Sequence, residues 1–167
     1  GNIFGGGRGS GSFATPGDAS TYTMNVTCGR VGGNTNLTID GNAVILGSLF
    51  GGGRTALTGV NADGELDATF FTAGNYDSVN HGYAYVTVKG SPKIGTSDGA
   101  ALEATDYSVG DIFGSGKGDI ECYNDVRAGR VMNASVHISQ TPRIYGAIFG
   151  GGEMAGVGWW DNTKLYT

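Results

Sequence analysis

Apolar and polar residues alternate along three stretches of the chain. Leu37 and Ile39 flank Thr38, Val86 and Val88 flank Thr87, and Val136 and Ile138 flank His137. A period of two puts the apolar set on one face of an extended strand and the polar set on the other, whereas a helix would repeat every three or four residues. Val, Ile, Thr and Tyr dominate these stretches, as strand propensity favours. No window of a dozen residues carries helical periodicity. The pattern predicts an all-β chain.

Each strand is the first part of a longer unit. Leu37-x-Ile39-x-Gly41-x-x-x-Ile45-x-Gly47-x-Leu49-Phe50 matches Val136-x-Ile138-x-Gln140-x-x-x-Ile144-x-Gly146-x-Ile148-Phe149 position by position. Val86-x-Val88-x-Gly90-x-x-x-Ile94 follows the same spacing, then carries an insertion before rejoining at Gly110-x-Ile112-Phe113. The unit closes on a string written four times, beginning at Ile3-Phe4, Leu49-Phe50, Ile112-Phe113 and Ile148-Phe149 and running into three glycines, with Ser115 standing in for the middle one of the third copy. Gly29-Arg30-Val31 and Gly129-Arg130-Val131 repeat as well, and Tyr22-x-Met24-x-Val26-x-Cys28 reads as a degenerate further strand.

Such repetition signals stacked units. The reading is a parallel β-helix, or β-solenoid, of irregular rungs with Gly-rich turns, in which glycines lie where a Cβ would collide with the next rung. Ile3, Leu49, Ile112 and Ile148 then form one apolar column, and Leu37, Val86 and Val136 a second. The signatures are 46 (4 to 50), 63 (50 to 113) and 36 (113 to 149) residues apart. With rungs of roughly 20 residues, each interval holds two or three turns of coil. A β-sandwich or propeller is the competing architecture, since both use short strands and glycine turns.

Composition narrows the class. Thirty-three glycines among 167 residues and 15% charged residues depart from a compact enzyme, yet the glycines sit at fixed offsets from hydrophobic strands, unlike those of a linker. Length suits one repeat-built domain spanning 1–167, read as a fragment of a longer chain. A net charge of −5 with scattered cations argues against nucleic acid. The lack of any long apolar run argues against membrane insertion. Arg8, Arg54, Lys117 and Glu153 each follow a glycine triplet, so stacking would place them in a widely spaced row. Cys28 and Cys122 are compatible with one bridge or two buried thiols, and Cys28 continues the inward row of Tyr22, Met24 and Val26.

Chemical motifs are sparse. Around Lys117 a phosphate-binding loop would need glycine where Asp111 stands and a hydroxyl where Gly118 stands. Asn61, Asp63 and Asp67 space oxygens around Gly64 like the middle of a calcium loop, but Gly59 and Phe70 hold the places of its first acid and closing glutamate. A tight hairpin turn also explains Asp63-Gly64. Polysaccharide cleavage needs carboxylates converging on one groove, and the best cluster is Asp98, Glu103, Asp106 and Asp111 in the insertion after Ile94. His81 and His137 read as surface residues, His137 taking the outward place of Thr38 and Thr87. Tyr83 and Tyr85 share the outward face of one strand, and exposed aromatics stack on sugar rings or anchor protein partners. With Asp98, Glu103 and Asp106 of the Thr96–Ser108 insertion they make the candidate binding site. Trp159 and Trp160 read as the cover of the last rung.

The strand leading into Phe-Gly-Gly-Gly resembles the glycine-rich repeats of large surface proteins of gut Bacteroidetes and related anaerobes. There a Val-x-Ile-x-Gly strand runs into a Val/Ile-Phe/Tyr-Gly-Gly-Gly turn, over and over. The resemblance covers most of the chain and is weakest across residues 54–80 and 96–107. It implies an extracellular or cell-surface, stalk or adhesin-like protein and supplies no catalytic residues. The expectation is a structural, adhesive segment without enzymatic activity or a bound cofactor. Its partners would be neighbouring repeats of a parent chain, glycans, surface proteins or further copies of itself. The alternatives are a carbohydrate-binding or carbohydrate-active β-helix and a viral or phage fibre segment.

Overall fold

A computed structural model describes residues 1–59, 82–96, 109–119, 127–160 and 165–166. The strands are β1 (Ile3–Phe4), β2 (Gly11–Phe13), β3 (Tyr22–Met24), β4 (Thr35–Ile39), β5 (Val44–Ile45), β6 (Leu49–Phe50) and β7 (Tyr83–Val88). They continue with β8 (Lys93–Ile94), β9 (Ile112–Phe113), β10 (Asn133–Ile138), β11 (Arg143–Ile144), β12 (Ile148–Phe149), β13 (Trp159–Trp160) and β14 (Leu165–Tyr166). Among the described residues the single helical element is a 3-10 turn at Ala19–Thr21.

Strands at the same place in each unit pair in parallel. The orders are β1-β6-β9-β12, β4-β7-β10 and β5-β8-β11. Two further ladders run through isolated bridges, Arg8–Arg54–Lys117–Glu153 and Val31–Thr58–Val131–Val157. The fold is a parallel β-solenoid with three sheet faces, and the sandwich and propeller alternatives fall away.

Each Phe-Gly signature marks one rung, so the expectation of two or three turns per interval is corrected. Thr35 to Thr58 completes a circuit, as does Asn133 to Val157. The surplus length leaves and re-enters at corners. Gly59 and Gly82 lie against each other around residues 60–81, with φ of 91° and 74°. Gly95 and Gly110 do the same around residues 96–109, with φ of 88° and 87°. A left-handed glycine pair without Cβ atoms lets both ends of an excursion meet at one corner of a rung. Chain length at such a site is entropically cheap, which accounts for the uneven spacing.

The stretch Tyr22–Cys28 does not form a coil strand. β3 ends at Met24 and pairs antiparallel with β2. Beyond it the Asn25 carboxamide accepts hydrogen bonds from the Thr27 amide (3.1 Å) and hydroxyl (2.9 Å), a local turn that ends the strand. The alternation was real, but it serves a hairpin whose Met24 packs against Leu57, Ala128 and Met132, with Tyr22 and Val26 beside them. Cys28 carries a free thiol.

The main core holds the predicted columns. Leu49 and Ile112 are fully buried among Val86, Val88 and Ile94. Ile3 pairs with Leu49, Leu49 with Ile112 and Ile112 with Ile148, while Leu37, Val86 and Val136 share a register position. The four phenylalanines face the other way and stack through the molecule. Centroid separations are 4.8 Å for Phe4–Phe50, 4.9 Å for Phe50–Phe113 and 4.8 Å for Phe113–Phe149. A one-rung offset, close to the spacing of paired strands, suits parallel rings.

The glycine triplet threads between the main core and the second ladder. A Cβ on Gly51 would meet the Gly114 carbonyl, Val86 Cγ2 (2.9 Å) and Ala84 Cβ (3.1 Å), and one on Gly52 would meet Val131 Cγ1 (2.6 Å). Ser115 is tolerated because its buried hydroxyl donates to the Gly156 carbonyl of the next rung (2.9 Å). One expectation changes at the end of the stack. Ile148 keeps its register but is 52% exposed, because among the described residues no further strand pairs with β12 beyond it.

Candidate functional site

The sheet β4-β7-β10 presents the broadest outward face. Its inward row is Leu37, Val86 and Val136, so the alternation turns the residues between them outward. Asn36, Tyr85 and Ser135 lie side by side, as do Thr38, Thr87 and His137, and Tyr83 lies beside Asn133. His137 thus occupies the predicted outward place. Five hydroxyls, two carboxamides and an imidazole on a flat sheet form a polar surface suited to hydroxyl-rich ligands.

Tyr83 and Tyr85 are half-buried and stack at 4.9 Å with planes 10° apart. One face of each ring is therefore given to its neighbour. The pair offers its outer ring faces, its edges and two hydroxyls, and not the two open platforms the sequence suggested. The Asn34 side chain accepts from the Tyr83 amide (2.9 Å), pinning the start of this strand to the rung before it.

The remaining predicted site residues, Asp98, Glu103 and Asp106, and the calcium candidates Asn61, Asp63 and Asp67, lie outside the described residues, as do His81 and Cys122. Asp111 has a different role from the acidic cluster to which it was assigned. Its carboxylate accepts from the Ala147 amide of the next rung (2.7 Å). The Ser48 hydroxyl accepts likewise from the Asp111 amide (3.0 Å), and the Asn2 side chain from the Ser48 amide (2.9 Å). These three residues staple successive rungs, each one position before the apolar-Phe pair.

The charged row is also tighter than expected. Arg8, Arg54, Lys117 and Glu153 are direct neighbours on successive rungs, because each signature is one turn. Lys117 binds Glu153 at 2.7 Å with both side chains mostly buried, and its ammonium lies 5.6 Å from the Phe50 ring centroid. Arg54 pairs with Asp119 at 2.9 Å. On the rim, Asp40 accepts from the Gly41 amide and pairs with Lys89 (3.2 Å), which together hold its carboxyl below the usual range.

Sequence reasoning missed one concavity. The β2–β3 hairpin folds beside the charged row and encloses a groove of about 460 Å³ lined by Arg8, Arg54, Asp119, Phe13, Tyr22 and Cys28. Phe13 and Tyr22 meet edge to face at 5.3 Å. Two guanidiniums against one carboxylate, with an aromatic wall, suit an anionic group on a ring. The repeated cation after the glycine triplet was the available signal. The groove needs the hairpin, which alternation alone could not place.

No protein-family model, curated protein or solved structure matches this chain.

Proposed function

We propose that this chain is a structural and adhesive segment of an extracellular or cell-surface repeat protein, with a hydroxyl-rich glycan or a polar protein surface as its partner. The observation that carries the reading is the outward face of β4-β7-β10, where the stacked Tyr83 and Tyr85 sit among Asn36, Thr38, Thr87, Asn133, Ser135 and His137. Aromatic rings beside hydrogen-bonding groups bind the apolar faces and hydroxyls of sugars together, and a parallel-stacked scaffold holds them without an ordering cost on binding. The Ile, Leu, Val, Phe and Gly positions of the repeat are spent on stacking rungs, a use that suits a spacer.

The test is a glycan array and a panel of mucin and plant polysaccharides, with the chain and its Tyr85→Ala variant. Binding that falls at least about tenfold in the variant supports the reading. Binding unaffected by Tyr85→Ala moves the adhesive surface elsewhere. Release of reducing ends from any polysaccharide would replace adhesion with catalysis.

A further inference from the structure

We infer that the groove between the β2–β3 hairpin and the charged row is a second binding site, built for a carboxylate-bearing sugar, a uronic acid. It shares no lining residue with the outward face of β4-β7-β10, so it does not depend on the glycan reading of that face.

The groove runs along the flank of the stack. One wall comes from three successive rungs: Arg8 and Gly9 on one, Arg54 and Thr55 on the next, and Asp119 just past Lys117 on the one after. The hairpin supplies the other wall through Phe13 and Tyr22, and the volume of about 460 Å³ is that of a small-molecule site. Backbone contacts seat the hairpin. At its base the Asn25 amide donates to the Ser10 carbonyl (2.8 Å), and the Cys28 thiol donates to the Arg8 carbonyl (3.8 Å). A Cβ on Gly9 would meet the Thr55 carbonyl, and one on Gly7 would meet that of Gly29, so both legs lie directly against the coil. The groove is formed before a ligand arrives, and binding requires little ordering.

Two residue choices serve the groove and not the coil. Gly11 lacks the left-handed φ that calls for glycine, yet a Cβ there would run into the Tyr22 ring and hydroxyl. Its absence lets that ring lie across the hairpin backbone, where Phe13 meets it edge to face. Thr55 has a φ of 52°, which glycine would adopt without strain. Met154 shows nearly the same φ, 49°, so the coil imposes the angle. At this place the chain carries a threonine, and its side chain joins the groove lining.

Charge selects the ligand. Arg8 and Arg54 are register neighbours, and like charges side by side on paired strands repel. Arg54 already binds the Asp119 carboxylate at 2.9 Å. Two guanidiniums against that one carboxylate leave the lining positive, and a second carboxylate completes the set. The guanidinium fork matches the two oxygens of a planar carboxylate. A uronic acid carries this group on a ring whose C–H face packs against the aromatic wall, while its hydroxyls reach Ser10 and Thr55.

The test is an amide-shift titration of the chain with methyl glucuronoside and methyl galacturonoside, with methyl glucoside and inorganic sulfate as controls. The expected result is saturable shifts at Gly9, Ser10, Gly11 and Thr55 with at least one uronoside, and binding at least about tenfold weaker with both controls. Arg8→Gln should leave the melting curve unchanged and weaken uronoside binding at least about tenfold, by removing a charge-assisted partner. Asp119→Asn should strengthen binding, because it removes the competing carboxylate, and damage to the fold would not produce that sign. Tyr85→Ala should leave it unchanged. Absence of saturable shifts with either uronoside, a glucoside that binds as well, or sulfate that binds as tightly (an adventitious ion only) would overturn the proposal. So would an Arg8→Gln variant that binds like the parent chain, or uronoside binding lost in Tyr85→Ala.

Discussion

At the scale of single residues, position within the stack decides what a side chain contributes. Leu49 and Ile148 occupy the same place in the repeat, but Leu49 is fully buried and Ile148 is 52% exposed. Leu49→Ala is expected to cost about 3–5 kcal/mol, the transfer loss plus a cavity, and Ile148→Ala no more than about 1 kcal/mol. Chemical denaturation of the two variants checks the contrast, and equal losses would mean that Ile148 is covered in solution. Thr58 offers a gain. Its hydroxyl is buried without a hydrogen-bond partner among the described residues, and its ladder neighbours are Val31 and Val131. Thr58→Val removes an unsatisfied polar group at nearly constant volume and is expected to stabilise by about 1 kcal/mol. A lower melting temperature would show that the hydroxyl has a partner.

At the scale of elements, rungs are joined by ladders of unlike chemistry. The Lys117–Glu153 pair links the last two rungs in a site where the side chains are 15% and 19% exposed. Lys117→Met should destabilise by about 1–3 kcal/mol, because the carboxylate stays buried without its lysine, while Lys117→Met with Glu153→Met should recover most of the loss. A double variant no better than the single one would mean that the pair adds net stability over an apolar contact. The rim pair Asp40–Lys89 behaves differently, because both side chains are about half exposed to solvent. A carboxyl held below its usual pKa in the folded state contributes stability above its unfolded pKa and loses it as pH falls through the folded value. Its exposure keeps that contribution small.

At the scale of the whole molecule, a stack in which each rung touches only its neighbours has stability graded from the middle outward. β6, β7 and β9 are covered on both sides, whereas β1 and β12 are edges of their sheet. Hydrogen exchange should therefore be slowest at the amides of Leu49, Val86 and Ile112, and faster at the described positions of β12. Uniform protection along the stack would contradict this gradient.

The all-β class, the facing of each strand and the shared register of Ile3, Leu49, Ile112 and Ile148 were legible in the chain, because alternation and fixed offsets from glycine are local and repeat. The outward places of Tyr83, Tyr85 and His137 followed from the same period of two. Other features depended on what lies across space. That each signature is a single rung rested on Gly59 meeting Gly82 and Gly95 meeting Gly110, contacts between residues far apart in sequence. The mutual stacking of the two tyrosines is a choice of side-chain rotamer that a strand pattern leaves open. The Phe13–Tyr22 groove appeared only once the hairpin folded beside the charged row, and Asp111 became a rung staple only when Ala147 came above it. Local periodicity thus determined which face each residue takes, while excursions and stacking decided its neighbours, since contacts between rungs depend on where the chain returns.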